Sequence, residues 1–152
     1  MGTFDPQAFL ETNLTESNST VQTPCPEGEY PAVCLEEPKI RTFQGTKDPS
    51  KTYVSLDIVW TIENPAVTEV TGRNPTKVRQ NILLDLNDSG ALDMGKGRNV
   101  QLGRLREAIG KNNPGQPFSF RQIQGASAKV KVTHRVDGES IYDEVKSVAR
   151  QA

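Results

Sequence analysis

The chain has 152 residues, an apolar share of 34% and a formal net charge of −1, and its mean hydropathy is −0.57. This length suits one domain rather than two, and the low apolar share indicates that part of the chain contributes little to a core. The chain has no apolar run that is long enough to span a bilayer, and its start lacks the features of a secretory signal, so no membrane association is expected and a cytoplasmic location is predicted.

The small net charge conceals two halves of opposite sign. Residues 1–71 carry 4 basic and 11 acidic side chains, whereas residues 72–152 carry 14 basic and 8 acidic side chains. Such a division suits a protein that presents a local basic face to a polyanion, although solvated charge without any partner explains it equally well.

Residues 1–27 are predicted to form a flexible acidic segment that precedes a domain at residues 28–152. The segment is rich in Thr, Ser, Asn, Glu and Pro, a composition typical of disorder. Phe9, Leu10 and Leu14 have helical spacing, which predicts a short anchor helix that docks on the domain or on a neighbouring subunit.

Three strands are predicted in the first half of the domain, over residues 28–37, 52–62 and 77–86. Residues 39–51 mix turn formers with cations and are expected to be a mobile hairpin connection or an extended arm, and residues 63–76 are expected to be a loop. Alternation in the second and third strands places a set of apolar side chains in the core: Val54, Leu56, Ile58, Trp60, Ile62, Val78, Ile82, Leu84 and Leu86.

A glycine-rich loop, one helix and two further strands follow. The helix is predicted over residues 100–109, with Leu102, Leu105 and Ile109 on its apolar face. The strands are predicted over residues 126–136 and 140–148, joined by an Asp-Gly hairpin turn. Three strands, a helix and two strands follow one another in a five-stranded OB fold, so the fold class predicted is mainly β: an OB-like antiparallel barrel with one helix between strands 3 and 4.

The sequence does not assemble a complete catalytic or metal site. GALDMGKG at residues 90–97 matches seven positions of a phosphate-binding P-loop, but Gly97 stands where the Mg²⁺-binding Ser or Thr is required. A glycine hinge is the simpler interpretation, although Lys96 and Arg98 near the helix start still suit contact with one phosphate of a polymer. Two cysteines and a single histidine, His134, do not complete a four-ligand zinc site. We therefore expect no enzyme activity, no metal and no cofactor.

Two groups of polar residues allow a second interpretation. Asp85, Asp88 and Asp93 follow the third strand and suit a divalent ion, but aspartates in such loops more often accept hydrogen bonds from their own backbone. His134 lies on the apolar face or at the frayed end of the fourth strand, where a structural histidine is more common than a general base.

Cations and two aromatic rings gather on the predicted strands and loops that an OB platform uses. Single-strand binders pair cations, which follow the phosphates, with exposed rings, on which bases stack. Lysines on an outward strand face also guard against edge pairing, so each residue alone has a simpler explanation. The predicted nucleic-acid-binding residues are Lys39, Arg41, Phe43, Lys47, Lys51, Tyr53, Arg73, Lys77, Arg79, Lys96, Arg98, Lys129, Lys131 and Arg135.

Several stretches between residues 24 and 149 resemble small proteins encoded in bacteriophage replication and recombination clusters, namely PEGEYPAV, LDLNDSGALDMGKGRNVQLGRLREAIG, PGQPFSF, GASAKVKVTHR and YDEVKSV. The resemblance implies an OB-like single-stranded-DNA-binding protein that works with phage recombination or replication proteins in the host cytoplasm. Many bacterial single-strand binders end in an acidic tail tipped with Phe, whereas this sequence ends SVARQA, so recruitment through such a tail is not expected.

The function predicted is non-enzymatic binding and protection of single-stranded DNA in phage replication or recombination. A homo-oligomer is expected because one OB platform covers only about 4 to 16 nucleotides and linked copies raise the affinity. The alternative is a phage virion component, or an adaptor or inhibitor that binds a host or phage protein through the acidic half.

Overall fold

The computed structural model describes residues 3–151, while Met1, Gly2 and Ala152 at the outer ends of the two predicted segments lie outside the described residues. The described chain forms a six-stranded antiparallel sheet with short helices, which confirms the mainly β class. The strands are β1 (Gly28–Val33), β2 (Lys39–Gln44), β3 (Thr52–Ile62), β4 (Thr76–Leu84), β5 (Ser127–Asp137) and β6 (Ser140–Ala149). The helices are α1 (Pro6–Leu10), α2 (Pro65–Thr71) and α3 (Val100–Ala108), with a 3-10 turn at Phe120–Ile123.

Strand β3 is the centre of the sheet. It pairs with β4 from Val54 to Ile62 and with β2 from Thr52 to Asp57, and Thr61 pairs with Val33 of β1. The residues of β3 that pair with β2 or β1 also pair with β4, so β4 lies along one edge of β3 and both β2 and β1 lie along the other. β1 and β2 therefore follow one another along the same edge of β3. Beyond β1, the sheet continues through β5 to β6.

The predicted barrel is wrong in two respects, since the sheet has six strands and is not closed. β4 and β6 approach one another within 8 Å between Cα atoms, but no ladder joins them within residues 3–151. Helix α3 contacts both strands and buries Leu102, Leu105 and Ala108. Strand β6 also carries an irregularity, because Val132 pairs with Val145 while Lys131 pairs with Ser147. Alternation in a sequence predicts which face of a strand is buried, but not which strand edges are joined.

Two predicted connections are regular structure. The first predicted strand ends early, at Val33, and residues 39–44 form β2 instead of part of a mobile hairpin connection or an extended arm. Residues 65–71 form α2, where the Asn64 side chain accepts hydrogen bonds from the backbone N–H groups of Ala66 (3.0 Å) and Val67 (3.4 Å). Gly72 ends this helix in the left-handed conformation, with φ of 73°. Within the stretch expected to be a loop, Asn64 and Pro65 are thus an N-cap followed by Pro at the first helical position.

The core follows the predicted faces of β3 and β4 closely. Trp60 is fully buried, as predicted, and its indole Nε1–H donates a 2.8 Å hydrogen bond to Oε1 of Gln80, which is also buried. On β5 the apolar face ends early, because His134 is half-buried and Val136 is exposed. Of the predicted core residues, the buried ones are Leu56, Ile58, Trp60, Ile62, Val78 and Ile82, whereas Val54 and Leu84 are half-buried and Leu86 is exposed.

The N-terminal segment is joined to the domain at residues 23–27. The backbone N–H of Cys25 donates to Oδ2 of Asp143 at 2.7 Å, and Nε2 of His134 lies 2.7 Å from the carbonyl oxygen of Cys25. Arg73 donates to the carbonyl of Thr23 at 2.9 Å. These contacts join residues 23–27, which precede the predicted boundary, to the body. Helix α1, by contrast, buries none of its residues.

Candidate nucleic-acid interface

The solvent side of strands β2, β3 and β4 gathers six of the predicted contact residues. Side chains of directly paired residues in an antiparallel sheet lie on the same face. The pairs Phe43 with Tyr53, Arg41 with Ser55 and Lys39 with Asp57 therefore lie on one face. The β4 residues on the same face are those that pair with Ser55, Asp57, Val59 and Thr61, namely Leu83, Asn81, Arg79 and Lys77. We call this the β2–β4 face; its exposed or half-buried side chains are Lys39, Arg41, Phe43, Tyr53, Asp57, Val59, Lys77, Arg79, Asn81 and Leu83.

An aromatic pair stands at one end of the β2–β4 face. The rings of Phe43 and Tyr53 have centroids 5.5 Å apart and planes that differ by 24°, so they are stacked. The guanidinium carbon of Arg41 lies 4.8 Å from the Phe43 ring centroid. Tyr53 is 38% exposed, which leaves part of this platform accessible to a further planar group.

The loop between β2 and β3 closes tightly beside the aromatic pair. The backbone N–H of Gly45 donates to the carbonyl of Lys51 at 3.0 Å, and that of Lys51 donates to the carbonyl of Asp48 at 3.1 Å. A Cβ at Gly45 would lie 2.9 Å from both the Tyr53 ring and the Asp48 carbonyl oxygen, so only glycine allows this approach. The loop and the rings line a concavity of about 480 Å³ that also includes Lys47 and Lys51.

The β2–β4 face and its loop have more cations than carboxylates. Arg41 forms an ion pair with Asp57 at 2.9 Å, and Lys77 forms one with Glu36 at 3.2 Å. Both cations are about half exposed, and pairs of this kind contribute only about 0–1 kcal/mol, so a phosphate can compete for them. Within residues 3–151, four further cations have no carboxylate oxygen within 4.0 Å: Lys39, Lys47, Lys51 and Arg79.

The predicted contact residues of β5 lie on the same side of the sheet as the β2–β4 face but beyond β1, because Thr61 of β3 pairs with Val33 and Val33 pairs with Ser127. Lys129, Lys131 and Arg135 share one face of β5, but β1 lies between this strand and β3. Lys129 forms an ion pair with Glu29 at 3.4 Å. Arg135 forms one with Glu144 at 3.5 Å and also lies over a tyrosine ring. Two of these three cations are thus matched by carboxylates of neighbouring strands.

Arg73 lies away from both groups, in the contact that joins the N-terminal segment to the domain. Its Nη2 is 3.6 Å from Oδ2 of Asp143 and donates to Thr23, as described above. The same Asp143 oxygen accepts the N–H of Cys25, whose carbonyl contacts His134. Arg73 and His134 therefore hold backbone in place, and the half-buried Arg73 guanidinium offers little surface to a polymer.

Lys96 and Arg98 lie in the loop of residues 85–99, which precedes α3. This loop is closed by Asn99, whose side chain accepts the backbone N–H of Asp85 at 2.7 Å and donates to the carbonyls of Asp85 (2.9 Å) and Asp93 (3.0 Å). Oδ2 of Asp85 in turn accepts the backbone N–H of Asn99 at 3.0 Å. Oδ1 of Asp93 accepts the backbone N–H of Gly95. Two of the three aspartates considered for a divalent ion, Asp85 and Asp93, therefore use their carboxylates to accept backbone hydrogen bonds.

The remaining reactive groups are the two free cysteines, Cys25 and Cys34, both of which are buried. Burial, aided by Asp143, raises the pKa of the Cys25 thiol to about 11. Burial, aided by Glu36, raises the pKa of the Cys34 thiol to about 11 as well. Both thiols are therefore protonated at neutral pH, the unreactive form of the side chain. Residues 3–151 contain no group of three His, Cys, Asp or Glu side chains able to hold a metal ion.

Sequence reasoning missed four members of the β2–β4 face: Asp57, Val59, Asn81 and Leu83. Each stands at an even spacing along its strand from a predicted contact residue, Tyr53 on β3 or Arg79 on β4, and this period of two was the available signal. No helix formed by residues 3–151 is both long and apolar enough to cross a membrane. No protein-family model matches the chain, and no curated protein matches it significantly.

Proposed function

We propose that this protein binds single-stranded DNA along the β2–β4 face without catalysing a reaction. The observation that carries the proposal is the stacked Phe43–Tyr53 pair, which shares one accessible face with Lys39 and Arg79. Stacking of bases on such rings contributes about 1–3 kcal/mol per base and is indifferent to base identity. The cations provide contacts to phosphates, which hold the strand in place without reading its sequence.

The dimensions of the β2–β4 face suit a short stretch of single strand. From the row of Tyr53 to the row of Thr61, β3 advances eight residues, or about 27 Å. Lys39, Arg79 and Lys77 follow one another along this path from the aromatic pair to its far end. A few nucleotides fit along it, in agreement with the lower end of the roughly 4–16 nucleotides that one OB fold covers.

An OB-like arrangement of the open sheet supports the same proposal. β1 and β2 occupy one edge of β3 in succession, like a single bent first strand, and β1 also pairs with β5. Helix α3 stands between β4 and β5 in the chain and contacts both β4 and β6. If β1 and β2 are counted as one bent strand, the strands follow the order of a five-stranded OB fold. β4 and β6 are then adjacent but, within residues 3–151, not hydrogen-bonded in a ladder. The fold alone does not assign a function.

The biological setting that we propose is phage DNA replication or recombination in the host cytoplasm. Support for it comes from the resemblance of the stretches quoted above to proteins of phage replication and recombination clusters. We also propose that several copies act together on one strand, because linked weak sites raise the overall affinity without new contacts.

Fluorescence anisotropy with a labelled oligo-dT tests the proposal through the aromatic pair. Phe43→Ala/Tyr53→Ala should weaken binding by tenfold or more, because about 1–3 kcal/mol of stacking is lost per base. Tyr142→Ala is the matched control, since this tyrosine is also exposed and lies under an arginine but stands on β6. Wild-type protein at micromolar concentration that leaves the oligonucleotide free at low salt would contradict DNA binding altogether.

A second candidate function, that of a phage virion component or an adaptor for another protein, rests on a different observation. Phe4, Phe9, Leu10 and Leu14 are all exposed, as expected for a segment that binds a protein partner. Mass spectrometry of purified virions separates the two candidates. The chain at stoichiometric copy number in particles, without affinity for DNA, would favour the virion component.

A further inference from the structure

The N-terminal arm, residues 3–22, carries an exposed apolar cluster of Phe4, Phe9, Leu10 and Leu14, which we call the knob. Local interactions within the arm form the helical turn of this knob. Asp5 caps α1 by accepting the backbone N–H of Gln7 at 3.0 Å, and Pro6 occupies the first helical position. Phe4, just before the cap, contacts Phe9 with ring centroids 5.1 Å apart, the geometry of a hydrophobic staple. A single helical turn is marginal in water, so burial of this knob would stabilise it.

The knob is exposed to solvent although it is locally ordered. Phe9 is 63% and Leu10 is 78% exposed, and Leu14 four residues later is exposed as well. Helix α1 buries no residue against the sheet. Within residues 3–151, the side chains predicted to anchor this segment are therefore not buried against the domain.

An apolar groove lies between α3 and the segment before the 3-10 turn. The groove has a volume of about 570 Å³, which is within the roughly 300–1,000 Å³ of ligand pockets. Phe118 and Phe120 meet edge to face in its wall at 6.3 Å, and Met94 at its rim is 78% exposed. Its apolar lining consists of Leu92, Met94, Leu102, Phe118 and Phe120.

The charges of the arm and of this α3 groove are complementary. The arm carries Asp5, Glu11 and Glu16, and the sequence has no Lys or Arg before Lys39. The groove is lined by Arg98 and Arg106 with Asp93 as its only carboxylate within the described residues. The guanidinium of Arg106 lies 4.7 Å from the ring centroid of Phe118, at the apolar wall itself. The apolar helix and the acidic residues that flank it in the arm thus match both the surface and the charge of the groove.

The arm does not enter the groove of its own chain. Within residues 3–151, Phe4, Phe9, Leu10 and Leu14 are all exposed, and none of them lines the groove. A second copy of the chain offers the same groove to the arm.

We propose that the N-terminal arm of one chain docks its Phe4, Phe9, Leu10 and Leu14 side chains in the α3 groove of a second copy. The exchange joins copies of the protein without using the β2–β4 face, so it stands whether or not the protein binds DNA. Its driving force is burial of the knob, and the arginines at the groove orient the acidic arm.

Sedimentation velocity over about 1–200 µM protein measures the association directly. The wild-type chain should shift with concentration from 16.7 kDa toward larger species. An arm variant, Phe9→Ser/Leu10→Ser, and a groove variant, Met94→Asp, should each weaken association at least tenfold. Val136→Ser, which changes an equally exposed apolar residue on β5, should leave it unchanged.

A mixture of the two defective chains gives the decisive result. The arm variant retains an intact groove and the groove variant retains an intact arm, so the mixture should regain association through one contact, above that of either variant alone. A wild-type chain that stays monomeric at every concentration overturns the proposal. So does a wild-type oligomer that withstands Met94→Asp, or a mixture that associates no better than its components.

Discussion

Neutralising two cations on the β2–β4 face, through Lys39→Gln/Arg79→Gln, should lower both DNA affinity and its dependence on salt. Both side chains are exposed, and neither has a carboxylate oxygen within 4.0 Å in the described chain. The variant therefore removes charge without leaving a buried partner unpaired, and the free energy of unfolding should change by less than about 0.5 kcal/mol.

The magnitude follows from the number of cations that the face and its loop present. The four unpaired cations give a slope of log affinity against log salt of about −2.8, and the two paired ones, Arg41 and Lys77, would extend it to about −4.2. Between 50 and 200 mM salt the wild-type affinity should therefore fall by about 50-fold to about 300-fold. Loss of two phosphate contacts should make the slope shallower by about 1.4.

The assay is anisotropy of a labelled oligo-dT at four or five salt concentrations. Lys129→Gln/Lys131→Gln is the matched control, because it removes the same charge from β5, on the far side of β1. An equal loss of slope in both double variants would show that binding follows overall charge instead of the β2–β4 face. An unchanged slope in Lys39→Gln/Arg79→Gln would refute the assignment of these two contacts.

Two further predictions concern the core. Gln80→Leu leaves the buried indole N–H of Trp60 without its acceptor and should cost about 1–3 kcal/mol of stability, whereas Asn81→Leu on the solvent side should cost little; urea denaturation followed by fluorescence of the single tryptophan compares them. Because the thiols of Cys25 and Cys34 have folded-state pKa values of about 11 against 9.0, the unfolded chain loses their protons first. The contribution of the two protonated thiols to the free energy of unfolding is complete below pH 9. It is lost as the pH rises toward 11, by up to about 1.4 kcal/mol per pH unit for each thiol. Cys25→Ala/Cys34→Ala should flatten this fall, and an equally steep fall in that variant would contradict the cause.

Local patterns predicted five of the six strands of the described chain and helix α3 far better than the contacts between them. Alternation located β3 and its buried Trp60, and the Asn-Gly-rich surroundings of α3 bounded that helix within a residue. The pairing of Phe43 with Tyr53 could not be derived, because it depends on β2 being a strand and on the register that the loop of residues 45–51 imposes.

Contacts between distant residues account for the rest of what sequence reasoning missed. Arg73 was predicted to contact a polymer, but its guanidinium lies near Asp143, seventy residues later in the chain. Sheet closure also depends on contacts between distant residues, because it is decided by how β4 and β6 meet around α3 and not by the residues of either strand alone. No pattern within a single segment carries this information.

Ion pairs within the folded protein account for part of the opposite charges of the two halves of the chain. Three acidic residues of the first half form ion pairs with basic residues of the second: Glu29 with Lys129, Glu36 with Lys77 and Glu37 with Arg121. Part of the asymmetry thus matches one half of the fold to the other and requires no polyanion. Within residues 3–151, Lys39, Lys47, Lys51 and Arg79 have no such partners, and they lie on the face or loop of the aromatic pair. The argument for a nucleic-acid ligand therefore depends on these four cations and two rings, and not on the charge of either half as a whole.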